Sequence, residues 1–309
     1  MRLLVGLLLG LTPAQGCKPM KRFFLLGGSS AVLMSLLVLS STATYAATSP
    51  GLGMAASFGI LSSTYTNTAS GTTINADLGY TTAPALTPTV NGATYSPPSS
   101  KYSTAGTDQG SALTNLNSQP CTFTFPAGAV DLATDTSHGT LGTYTPGVYC
   151  TAASSAASIG AAGITLSGSG AFIFRVNGAL TTVSNSAVRF AGGASACNVF
   201  WTPTAATTLG ANSGFVGTDI DGSGITIGRT VTWTGQALAF GGTVSTTNDT
   251  ISVATCTAAT PTPGPMPSVP PSGASGSTPG GFPTIPAGLS LLLGGSLVVT
   301  TVWARRRRA

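Results

Sequence analysis

The chain has 309 residues, only 6% of them charged, with no glutamate and a single histidine. Its formal charge of +5 belongs to the ends, because between Ala47 and Cys256 seven aspartates face only Lys101, Arg175, Arg189 and Arg229, a net of −3. A body without a clustered basic face excludes nucleic acid as a partner. Such sparse acids, bases and metal-ligating groups also argue against an enzyme, a cofactor or a metal site.

Residues 1–46 read as a leader. Met20-Lys21-Arg22 opens a basic stub, Phe23 to Leu39 is apolar, and small residues lead to Thr44-Tyr45-Ala46, a cleavage pattern ahead of Ala47. That is the layout of a secretory signal peptide whose true start is Met20, which leaves Met1 to Pro19 as an upstream addition.

The body spans 47–256. From Ser57 to Tyr80, Phe58, Ile60, Tyr65, Ile74 and Leu78 alternate with small or polar residues, which predicts short strands. Pro84 to Ser100 is a proline-broken loop, and Thr104 to Asn117 is the one soluble helix candidate, weakened by Gly106 and Gly110. Gly139 to Tyr149 returns to strand, with a turn at Thr145-Pro146-Gly147. Apolar strands follow at Ala171–Val176, Cys197–Trp201, Phe215–Thr218 and Thr230–Ala239, with Trp201 and Trp233 on inward positions.

Between them a hydroxyl flanked by apolar residues keeps returning: Ile164-Thr165-Leu166, Leu180-Thr181-Thr182, Thr207-Thr208-Leu209, Ile225-Thr226-Ile227 and Thr243-Val244-Ser245. The gaps of roughly 16 to 27 residues match one coil of a stacked β-architecture. Stacking would set Thr165, Thr181, Thr208, Thr226 and Ser245 in one ladder with rungs about 4.8 Å apart.

Beyond the body, 257–286 is a linker rich in Pro, Gly, Ser and Thr. An apolar run over 287–304 ending in Arg305 to Arg308 reads as a membrane-spanning anchor within 287–309, its arginines on the cytoplasmic side. With Cys17 in the leader, Cys121, Cys150, Cys197 and Cys256 remain for two disulfides in an oxidising compartment. Three pairings are possible; Cys121–Cys150 with Cys197–Cys256 is preferred, the first closing a loop and the second tying the last coil to an earlier one.

Seven stretches resemble the microbial ice-binding proteins. They are Ala56–Leu61 with Thr66-Asn67-Thr68, Ile74–Gly79, Thr145–Tyr149, Phe172–Val176, Ala196–Trp201, Phe215–Thr218 and Gly235–Ala239, and they cover Leu52 to Ala254. The resemblance implies a mainly β fold, a right-handed discontinuous β-solenoid of triangular cross-section with one helix alongside. It also implies a partner, ice or an ordered water surface, held by a flat face of Thr, Ser, Ala or Asn. The favoured face is Thr64, Thr66, Val216, Thr218, Thr232 and Thr234; the ladder from Thr165 to Ser245 is the alternative. The expectation is a monomeric, exported, non-enzymatic ice-binding protein at the cell surface. The competing reading is a non-enzymatic surface adhesin or wall-associated solenoid that binds a polysaccharide or another surface. For an enzyme, only Asp219, Asp221 and His138 stand out, the first two near a turn and the last in a solvated loop.

Overall fold

The computed structural model describes residues 46–256. The leader before Ala46, the linker over 257–286 and the apolar segment over 287–304 lie outside the described residues. In chain order the strands are β1 (Phe58–Asn67), β2 (Thr73–Asn75), β3 (Asp77–Gly79), β4 (Thr89–Val90) and β5 (Thr94–Tyr95), followed by the helix α1 (Ser100–Ser118). Then come β6 (Phe123–Thr124), β7 (Val130–Asp131), β8 (Thr143–Tyr144), β9 (Gly147–Cys150), β10 (Ala157–Ile159), β11 (Ile164–Ser167), β12 (Phe172–Val176), β13 (Leu180–Thr182) and β14 (Val188–Ala191). The last are β15 (Val199–Pro203), β16 (Thr207–Leu209), β17 (Gly214–Ile220), β18 (Ile225–Ile227), β19 (Thr232–Thr246) and β20 (Thr250–Ser252). Every pairing between them is parallel.

The structure corrects the expected solenoid of triangular cross-section. Seventeen strands join in one continuous curled sheet, a half-barrel, and only β8, β11 and β14 form a separate three-stranded sheet. The cause lies in the long strands. β19 runs 15 residues and β1 runs 10, and each remains one strand around a corner, where their mutual register shifts between Ser62 and Thr64, so neighbouring walls belong to one sheet. Among the described residues, no helix is long and apolar enough to cross a membrane.

Strand order departs from chain order. The N-terminal strand β1 pairs with β19 on one side and β3 on the other, so the first strands of the chain stack upon the last. α1 then carries the chain toward the opposite end, where β6 pairs with β9 and the strands climb back. Its 19 residues reach about 28 Å at 1.5 Å per residue. Tyr102, Ala105, Gln109, Ala112 and Leu116 make its buried stripe at three- and four-residue spacing. That stripe belongs to a cluster with Phe58, Leu61, Ile173, Phe200, Ile220 and Leu238, so α1 covers the wall formed by β1, β12, β15, β17 and the middle of β19.

Inside the curl an aromatic column follows the stack. Phe174 stacks on Trp201 with ring centres 4.3 Å apart, and Phe215 stands 5.2 Å from Trp201 and 5.0 Å from Trp233. The indole N–H groups donate to the carbonyls of Val216 and Gly217 at 2.9 Å, which satisfies the only polar atoms of those side chains. Truncating any one of these rings to alanine would cost about 3–5 kcal/mol. Gly217 and Gly235 lie opposite each other at φ +98° and +153°, and a Cβ on Gly235 would sit 1.9 Å from the Gly217 carbonyl oxygen. Only glycine permits that approach.

Candidate functional site

Two walls remain open to solvent. On the first, β8, β11 and β14 lead to β17 through the bridge between Ala187 and Gly214, and β19, β20, β2 and β4 continue the stack. On the second, β7, β10, β13, β16 and β18 lead to the ends of β19 and β1.

The first open wall repeats one tripeptide on four adjacent strands: Thr232-Trp233-Thr234, Thr250-Ile251-Ser252, Thr73-Ile74-Asn75 and Thr89-Val90-Asn91. The central residues Trp233, Ile251 and Ile74 are fully buried, so alternation turns the flanking residues outward. Register places Thr232, Thr250, Thr73 and Thr89 in one column. Thr234, Ser252 and Asn75 form the second column, extended by Asn91. Columns stand about 6.8 Å apart along the strand and rungs about 4.8 Å apart across it. Asn91 Nδ2 donates to Asn75 Oδ1 at 2.6 Å and Asn75 Nδ2 to Ser252 Oγ at 2.9 Å, which fixes those side chains before any ligand arrives. Thr232, Thr234, Thr250 and Thr89 are exposed and Thr73 is half-buried. Farther along the same wall, Thr165 lies opposite Thr143 and Arg189.

The second open wall carries a single column in unbroken register: Asp131, Ser158, Thr181, Thr208, Thr226, Ser245 and Thr66. Its far end widens, with Thr66 bonded to Ser245 and Thr68 to Thr247, both at 2.6 Å.

The structure therefore redistributes the two residue sets drawn from the sequence. Thr181, Thr208, Thr226 and Ser245 do share a column, and Thr64 and Thr66 join their wall opposite Thr243 and Ser245. Thr165 is separated from them, on the wall of Thr232 and Thr234. Val216 and Thr218 belong to neither exposed surface, at 9% and 5% exposure. The Thr218 hydroxyl donates to Gln236 Oε1, and Gln236 in turn holds the carbonyls of Ala55 and Phe58. Val216 keeps the register of Thr234 although it is covered, and Thr218 lies beyond the Gly217 corner beside Gln236, under the segment Ala55–Phe58. Thr73, Asn75, Thr89, Asn91, Thr250 and Ser252 were not anticipated. The recurring Thr-x-Thr/Ser/Asn tripeptide was the available signal.

Neither grouping of ionisable residues makes a reaction centre. His138 is no solvated loop residue: its side chain is 2% exposed and stacks 4.0 Å from Tyr144. Its ring nitrogens lie 2.7 Å from Asp135 Oδ2 and 3.2 Å from the Thr143 carbonyl, contacts that pin the loop. Asp221 accepts the amides of Thr207 and Ser223, a corner brace, and burial raises its pKa. Asp219 is entirely enclosed, and burial followed by the neighbouring Asp221 pushes its pKa well above the usual carboxylate value. Among the described residues no group of three His, Cys, Asp or Glu side chains converges on a metal position. Two disulfides, Cys121–Cys150 and Cys197–Cys256, cross-link the body.

The sequence profile described as ice-binding-like matches residues 42–252, most of the chain. The chain belongs to this family. Its fold is similar to the crystal structure of an ice-binding protein from the Antarctic ascomycete Antarctomyces psychrotrophicus, with 25% identity and a TM-score of 0.60 over 68% of this chain and 100% of that one. An ice-binding protein from an Antarctic biological consortium gives 26% identity and a TM-score of 0.60, covering 69% of this chain and 94% of the other. For one from an Antarctic bacterium of the Flavobacteriaceae the values are 28% and 0.59, over 67% of this chain and 48% of that longer one. No curated protein sequence matches the chain.

Proposed function

We propose that the protein binds ice through the first open wall, using the two columns formed by Thr232, Thr250, Thr73 and Thr89 and by Thr234, Ser252, Asn75 and Asn91. The observation that carries this reading is the array itself: two columns wide, uncharged, and repeated in register on four adjacent strands. Threonine offers a methyl and a hydroxyl on a side chain restricted at χ1, so a row of them holds neighbouring water with little ordering cost at contact. Each water-mediated bond is weak against bulk water, and affinity must come from area and regularity. Arg189, on β14, would hold its own hydration shell and marks the limit of the useful surface. The second wall offers one column over most of its length and ends on the charged Asp131. The adhesin reading gains no support from Trp201 and Trp233, the aromatics a saccharide platform would use, since both are fully buried. The two disulfides support an exported setting, and we read the protein as acting outside the cytoplasm.

Ice recrystallisation and crystal shaping test the reading. Thr250→Tyr, placed in the middle of the array, is expected to lower activity at least about tenfold, the scale of losing one well-packed contact. Thr208→Tyr, in the middle of the second wall, should leave activity near that of the parent protein. The reverse ranking would move the site to the second wall. Unaltered crystal shape and grain growth with high micromolar parent protein would reject ice binding itself.

A further inference from the structure

The array depends on its shortest link. β20 is three residues long, yet it alone joins β2 and β4 to the rest of this wall: β2 pairs only with β20 and β4, and β20 pairs with β19 on its other side. If β20 frays, Thr232 and Thr234 on β19 are no longer linked to Thr73 and Asn75 on β2, and the array falls into two pieces. Short terminal strands are the segments that open first.

The entry to β20 is secured within the fold. Asp249 is fully buried, accepts the amides of Val231 and Thr247 at 2.8 and 2.6 Å, and donates its own amide to Thr72 Oγ1 at 3.3 Å. Its exit has no such corner. Val253 to Thr255 form no strand, and Ala254 only packs at the margin of the core. The next fixed point is Cys256, bonded to Cys197. Cys197 sits in the short helical turn Ala196–Asn198, where Ser195 Oγ accepts its amide at 3.3 Å and β15 follows at once. The turn packs beside β17 and β19, so it is built into the body rather than hung from it.

We infer that the Cys197–Cys256 bond is a strap that holds β20 in register, making these cysteines positioning residues for the candidate ice-binding face. The inference rests on the proposed use of that face. The strap is short, with three residues between Ser252 and Cys256, and can follow β20 only a small distance from its neighbours. Its action is local. The Cys121–Cys150 bond, which joins β9 to the segment leading into β6, belongs to a different part of the stack and serves as the internal control.

Backbone hydrogen exchange and ice recrystallisation, measured on the full chain, separate a strap from a general cross-link. The double variant Cys197→Ala/Cys256→Ala is expected to speed exchange about a hundredfold in 73–75 and 250–252 as local opening becomes easier. Strands 207–209 and 225–227 on the second wall should keep the parent rate, and ice activity should fall at least about tenfold with the broken array. A triglycine insertion after Ala254 keeps the disulfide but slackens the strap, and should reproduce the same local pattern even if the cysteine variant does not fold. Cys121→Ala/Cys150→Ala should leave exchange at 73–75 unchanged. Parent-like exchange at 73–75 and 250–252 in the slackened protein, or acceleration spread evenly over both walls, would overturn the inference. If the exchange pattern appears but even the parent protein leaves ice unaltered, the strap stands and the ice reading fails.

Discussion

Thr230 occupies a corner with φ +59°, a left-handed conformation that β-branched residues rarely adopt. The equivalent corners are built with asparagine: Asn185, Asn212 and Asn248 have φ of 64°, 57° and 59°. These corners lie one above another, with Asn185 donating its amide to Ala211, Asn212 to Arg229 and Thr230 to Thr247. The Thr230 hydroxyl recovers part of the cost by bonding Asn212 Oδ1 and the Arg229 carbonyl. Asparagine tolerates the same backbone and keeps a polar side chain for Asn212. Thr230→Asn is therefore expected to raise stability by about 1 kcal/mol, the usual scale of relieved left-handed strain. A shift of the urea midpoint to higher concentration at constant slope would show it, and a fall would mean that the two hydroxyl bonds outweigh the strain. Ice activity should not change, because Thr230 sits at the corner before the array rather than in it.

At the level of elements, sequence pattern succeeds where structure is local. The stripe of α1 was readable from Ala105, Ala112 and Leu116, and its start moved from Thr104 to Ser100 because the chain turns into the helix directly after Pro97-Pro98. The column from Thr181 to Ser245 was readable because its strands succeed one another at coil spacing. The array on the first wall was not, because its rungs come from opposite ends of the chain: Asn75 and Ser252 bond across a separation of 177 residues. Alternation alone also failed at Val216 and Thr218, which are covered within the fold, Thr218 by Gln236 and the segment Ala55–Phe58 that Gln236 holds. Dependence on glycine makes β19 fragile at one point. Gly235→Ala would place a methyl group against the Gly217 carbonyl oxygen and add strain at φ +153°. A loss of about 3 kcal/mol or more is expected from displaced backbone at a fully packed site. Thermal unfolding would measure it, and a near-neutral result would show that the two strands can part without cost.

For the whole molecule, the distribution of its few charges predicts an unusual response to pH. Burial raises the Asp249 pKa to about 6 against the pull of the Thr247 and Val231 amides, and burial pushes Asp219 and Asp221 upward as well. Asp219 is the extreme case, since neither carboxylate oxygen has a hydrogen-bond partner and the Thr207 hydroxyl beside it has none either. A neutral carboxylic acid suits that site, and an ionised one would be costly there. Such groups bind protons in the folded state that the unfolded chain has released, so stability falls as pH rises. The contribution is complete below the unfolded value near 3.8 and is lost through about 6 for Asp249, and Asp219 acts in the same direction. Asp77 and Asp135 work in the opposite sense. Burial raises each, but the bonds from Lys101 and the Ala93 amide to Asp77, and from His138 and Ser137 to Asp135, more than offset it. Their stabilising effect disappears only as pH falls below the ordinary carboxylate range. Between about pH 4 and 6 the buried acids should dominate, and urea midpoints are expected to fall across that window. Asp219→Asn, which keeps the shape but cannot ionise, should flatten the profile and raise stability wherever Asp219 would otherwise be ionised. A midpoint that stays level or climbs from about pH 4 to 6 in the parent protein would mean that water reaches the buried acids and solvates their charges. Because Asp249 also anchors the entry to β20, its ionisation through about pH 6 should loosen the array before the rest of the fold, visible as faster exchange at 250–252 than at 207–209.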